Sequence, residues 1–105
     1  MKIIIWSRRN NMSPFTVNSI RDAEKFGVVY GWKCGDKKGI FIKPAGYRAP
    51  GRGMPGHDSA MKKLYSLILG KEVQVGEVVA ITTDTMTAKI YFRGKELKYY
   101  FPEYN

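Results

Sequence analysis

The stretch Asp58-Ser59-Ala60-Met61-Lys62-Lys63-Leu64-Tyr65-Ser66-Leu67-Ile68-Leu69-Gly70-Lys71-Glu72-Val73-Gln74-Val75 contains the change of hydrophobic period on which the fold turns. Up to Leu69 the apolar residues recur at helical spacing: Ala60, Leu64, Leu67 and Ile68 share one face, and Lys62, Lys63 and Ser66 point away from it. Asp58 or Ser59 is the expected N-cap, and Gly70 stands where helices commonly end in a left-handed residue. From Glu72 the period falls to two. Val73 and Val75, then Val78–Ile81, read as strand, and Ala88, Ile90 and Phe92 alternate with Lys89, Tyr91 and Arg93. Past a turn at Gly94, Leu97, Tyr99 and Phe101 alternate with Glu96, Lys98 and Tyr100, which predicts one more strand.

Upstream of the helix, Pro44–Gly56 is too dense in Gly and Pro for regular structure and reads as one long loop. Before it, Val28, Tyr30 and Trp32 alternate with Val29, Gly31 and Lys33 as a half-buried strand does. The turn chemistry of Cys34–Gly39 joins that strand to Ile40–Lys43 as a hairpin. Phe15–Ile20 reads as a strand, whereas Arg21–Lys25 suits either its continuation or a helical turn. Lys2–Trp6 is β-branched and aromatic and predicts a further strand. Strands on both sides of a single helix point to a mainly β fold, a small barrel. With 105 residues the chain fits one domain spanning 1–105, because either half alone is too small to hold a core.

Eighteen Lys and Arg against nine acidic residues give a formal net charge of +9, the electrostatic footprint of a protein that meets phosphates. Cys34 is the only cysteine, which excludes an internal disulfide and a cysteine-based zinc cluster and makes a cytoplasmic setting the expectation. Ile3–Trp6 is too short for a signal peptide, and nothing approaches the apolar length of a membrane span, so no membrane partner is expected.

The run from Tyr47 to Ala60, followed by Leu64, Leu67 and Leu69-Gly70-Lys71-Glu72-Val73-Gln74-Val75, resembles the staphylococcal-nuclease-like family. There an Asp-Ala-Pro-Glu stretch leads through an acidic pair into a helix ending in Leu-Gly-Lys-x-Val. The resemblance is firmest over residues 40–75. It implies a five-stranded OB-like β-barrel with one α-helix between the third and fourth strands. It also implies calcium-dependent phosphodiester hydrolysis, with carboxylates holding the metal, a Glu assisting water and two Arg clamping phosphate.

Carried over residue by residue, that chemistry is degraded. Arg48 stands opposite the metal-binding Asp, Gly51 opposite the water-assisting Glu, and Lys43 opposite the first phosphate Arg. Asp22 and Glu24 loosely match the family's earlier acidic motif and are the only metal-ligand candidates. Asp84-Thr85-Met86-Thr87-Ala88 matches the later one but lacks its Arg, leaving Lys89 as the nearest cation. The resemblance thus implies a non-catalytic module without cofactor that binds DNA or RNA. Lys43, Arg48, Arg52 and Lys89 would grip phosphates, and Tyr47 and Trp32 would stack bases, with Tyr91 and Tyr100 as further rings. Two alternatives stand beside it: a surviving calcium-dependent nuclease using Glu24, Lys43, Arg48 and Asp84, and a basic module that docks an acidic protein. His57 reads as a helix-start or solvent residue, and Cys34 as a small buried hydrophobe.

Overall fold

A computed structural model describes residues 13–105; the strand expected at Lys2–Trp6 lies outside them. Five strands make a closed barrel: β1 (Ser13–Asp22), β2 (Lys25–Cys34), β3 (Lys37–Pro44), β4 (Glu72–Thr82) and β5 (Thr85–Phe92). They pair antiparallel in the order β3-β2-β1-β4-β5, and a parallel pairing of β3 with β5 closes the ring, running from Phe41 opposite Thr85 to Pro44 opposite Ala88. Closure leaves these strands no free edge along the shared register. Helix α1 (His57–Ile68) falls between β3 and β4, so the fold is the OB-like barrel with one helix that the sequence predicts.

The helix covers the barrel interior with the face its periodicity gives. Ala60, Leu64 and Ile68 are fully buried among Val17, Phe26, Ile42, Val73 and Ile90, while Leu67 is half-buried at the margin. Burial of a side chain such as Leu64 or Ile68 stabilises the fold by about 1.5–3 kcal/mol. Gly70 ends the helix at φ 78°, a conformation that favours glycine, and its N–H donates to the Val17 carbonyl at 2.8 Å. Val17 N–H in turn donates to Lys71 O at 3.0 Å, so the helix terminus is sewn to β1.

Three local expectations are corrected. The helix begins at His57 rather than after a cap at Asp58 or Ser59. Gly56 is the N-cap, at φ 89°, and its carbonyl accepts Ala60 N–H at 3.0 Å; Asp58 remains in the first turn, where its charge suits the dipole. The last predicted strand is two residues long, β6 (Lys95–Glu96), after which the chain coils through 3₁₀ turns at Leu97–Tyr100 and Pro102–Tyr104. The buried residues there are Leu97 and Phe101, four apart, with Tyr99 exposed between them; helical spacing overrides an alternation that looked like strand. In β2 the alternation breaks at Tyr30, which turns outward instead of facing in with Val28 and Trp32. The open choice at Arg21–Lys25 resolves as strand to Asp22 followed by a tight turn, in which Asp22 Oδ1 accepts Glu24 N–H at 2.8 Å.

Candidate functional site

Where the Pro44–Gly56 loop leaves the barrel it lies against the β1–β2 turn, and the two enclose an open cleft of about 290 Å³. Strand pairing brings the end of β3 beside the start of β2, since Ile42 pairs with Phe26. That register sets Lys43 next to the Asp22–Lys25 turn. Asp22, Glu24, Lys25, Lys43, Arg48 and His57 line the cleft, with Gly51 on its loop wall. Three cations thus face two carboxylates.

Glu24 organises the cleft. Its carboxylate, 13% exposed, accepts the Ala49 N–H through Oε2, and its Oε1 lies 3.6 Å from Lys43 Nζ. One half-buried carboxylate therefore anchors the loop backbone and holds a loop-facing lysine; hydrogen bonds to a charged acceptor of this kind stabilise by about 1.5–3 kcal/mol. Arg48 does share a cleft with Asp22 and Glu24, and the ion pair that forms there is Lys43–Glu24. Arg48 is held through its backbone, whose N–H donates to Tyr104 O at 3.1 Å, and its side chain is exposed. Arg52, also exposed, reaches back across the turn to donate to Arg21 O at 2.5 Å.

The remaining candidates are sorted by burial. Tyr47, expected to be an open loop ring, is 4% exposed and stacks on Phe101 at 4.7 Å with the rings parallel. It pins the loop to the C-terminal turn and presents no face to a ligand. Burial, reinforced by the nearby charges of Glu24 and Asp22, raises its pKa far above the usual tyrosine value, and its hydroxyl has no hydrogen-bond partner among the described residues. Trp32 is 3% exposed, with its indole N–H donating to Phe41 O at 2.7 Å, so it too is core. Tyr100 is half-buried and donates to Phe92 O at 2.8 Å; Tyr91 is half-buried on β5.

Lys89 and Asp84 do not line the cleft. Lys89 lies 3.2 Å from Glu77 on the outside of the β4–β5 pair, and the hydrogen bond and charge of Glu77 raise its pKa. Asp84 sits in the β4–β5 turn, accepting from Thr85 Oγ1 at 3.1 Å, while its carbonyl takes Phe41 N–H at 3.2 Å. Cys34 is half-buried at the end of β2.

Two residues belong to the cleft that the sequence did not single out for it. Lys25 is one, and only the β2–β3 register reveals it. His57 is the other: it begins the helix as expected but is buried rather than solvated, and its Nε2 has no hydrogen-bond partner among the described residues. Among those residues no three His, Cys, Asp or Glu side chains converge, and no helix is long and apolar enough to cross a membrane. No protein-family model matches the chain, and no curated protein matches its sequence. The class defined by fold and site is accordingly an OB-like barrel with a cation-rich cleft beside a Gly-rich loop.

Proposed function

We propose that this barrel is a non-catalytic nucleic-acid-binding module, built on a nuclease-like OB framework, that grips phosphates at the cleft beneath the Gly-rich loop. The observation that carries the proposal is the convergence of Lys25, Lys43 and Arg48 on one cleft, with exposed Arg52 at its rim. The chain's net charge of +9 draws a polyanion toward it. Gly51 leaves one position of the loop wall without a side chain, beside Ala49 and Pro50, so phosphate oxygens can approach the backbone there.

The non-catalytic half rests on how the carboxylates are engaged. Calcium takes six to eight oxygen ligands. Glu24 gives its oxygens to Ala49 N–H and Lys43, Asp22 accepts from the turn amide, and Lys25 and Arg48 put positive charge in the same space. This donor set does not fit a hard cation.

Anisotropy titration of labelled single-stranded DNA and RNA across a salt series tests the reading. Binding with a log–log slope near −2 is expected, at about −0.7 per phosphate contact for the three cations outside the Glu24 ion pair. No binding to either polymer at low salt overturns it. Incubation with the same oligonucleotides, with calcium or with chelator, should leave them intact; metal-dependent cleavage would return the barrel to the nucleases. Capture of an acidic protein that survives nuclease treatment, without oligonucleotide binding, would replace nucleic acid with a protein partner.

A further inference from the structure

On the outer face of β1–β3 an open groove of about 450 Å³ runs beside the cleft, and Tyr30 stands over it. Tyr30 has φ 66° and Gly31 φ 70°, so two consecutive residues in mid-strand take the left-handed conformation and the β2–β3 register slips between Gly27 and Trp32. Gly31 is forced: a Cβ there would lie 2.5 Å from the Gly39 carbonyl oxygen. Tyr30 is not forced, since Gly or Asn takes this conformation at lower cost than a bulky aromatic. What the strain provides is a ring 102% exposed at the mouth of the groove.

The groove beneath that ring is floored at Gly27, over which the Ser19 and Asn18 side chains lie. Gly27 has no side chain, and a Cβ there would come within 2.5 Å of Ser19 Oγ. Its walls are Ile40, 52% exposed, and Phe41, whose ring carries Arg21 at 5.1 Å and Lys25 at 5.6 Å from its centroid. Lys25 also lines the cleft, and Arg52 donates to the backbone of Arg21. A continuous line of cations therefore leads from Arg48 and Lys43 past Lys25 and Arg52 to Arg21 at the groove.

We infer that the groove is a base-stacking site for single-stranded nucleic acid, with Tyr30 as its platform and the Arg21–Lys25 line as its phosphate track. This deepens the reading of the cleft and rests on it. A ring beside a basic track suits a strand whose bases are free of partners, because stacking needs only a π-face. A paired base inside a duplex cannot reach the ring. Charge complementarity selects a polyanion over an apolar protein partner for the groove.

The test is titration of a short oligothymidylate and of a blunt duplex against wild type, Tyr30→Gly, Tyr30→Phe and Arg48→Glu. Tyr30→Gly relieves the left-handed strain, so its melting temperature should equal or exceed wild type, while its Kd for the single strand rises about tenfold with an unchanged salt slope. Tyr30→Phe should restore most of the affinity, and duplex binding should respond little to either substitution. If Tyr30→Gly binds the single strand like wild type while Arg48→Glu does not, the stacking site is refuted and the cleft stands. If no variant, wild type included, binds either oligonucleotide, the cleft reading fails first. Equal losses on single strand and duplex also refute the stacking site.

Discussion

Glu24→Gln separates the two tasks of the residue at the centre of the cleft. Gln keeps an oxygen for the Ala49 N–H but removes the charge that holds Lys43 at 3.6 Å. A neutral acceptor stabilises by about 0.5–1.5 kcal/mol where a charged one stabilises by about 1.5–3, so roughly 1 kcal/mol is lost. The ion pair adds well under 1 kcal/mol, because Lys43 is 44% exposed and water screens it. For a domain of this size the melting temperature should fall by about 4–8 °C. Binding should change in the opposite direction. Released Lys43 adds one phosphate contact, which steepens the single-strand salt slope by about 0.7 and raises affinity about fivefold at about 0.1 M salt. Anisotropy in parallel with thermal melting reads both. A destabilised variant with tighter, more salt-sensitive binding is expected; unchanged or weaker binding with an unchanged slope would show that Lys43 and Glu24 do not guard a phosphate site.

Two other residues give independent checks of how the loop is held. Tyr47→Phe removes a buried hydroxyl that has no partner among the described residues and should stabilise the protein by about 1 kcal/mol at neutral pH in urea unfolding; a loss of that size would mean the hydroxyl is bonded. The same variant isolates a pH effect. Because burial raises the folded-state pKa of Tyr47, its contribution is fully present below the unfolded value of about 10 and is lost as pH rises beyond it, so wild type should weaken more steeply than Tyr47→Phe above about pH 10. Phe101→Ala deletes the ring stacked on Tyr47 and fully buried in the core, at a cost of about 3–5 kcal/mol; limited proteolysis should then cut first within residues 45–56, and cleavage elsewhere would mean the loop is pinned by other contacts.

The barrel was legible because its signals are local and agree. The Ala60–Leu64–Ile68 stripe, Gly70 at the helix end and the two-residue period of β5 each depend on a few neighbouring residues. The closure of β3 onto β5 is a long-range pairing that no local pattern encodes. Where the reading failed, tertiary context overrode a local rule: Leu97–Phe101 alternates in sequence yet buries every fourth residue, and Tyr30 sits in an alternating run yet turns out beside Gly31. The cleft was half legible. Lys43, Arg48 and the acidic pair Asp22 and Glu24 do meet, but the Ala49–Glu24 bond, which decides how the carboxylate is used, depends on a backbone amide 25 residues away and leaves no mark in composition. Tyr47 misled because a ring in a Gly-rich loop suggests exposure, and its partner Phe101 lies at the far end of the chain.

The most direct test of the proposed phosphate cleft is the salt dependence of single-strand binding by wild type and Arg48→Glu, measured side by side. The wild-type slope should lie near −2 and become shallower by about 0.7 in the variant, with affinity lowered more than about fivefold at about 0.1 M salt. A wild-type protein that binds nothing at low salt, or an Arg48→Glu protein with wild-type slope and affinity, would contradict it.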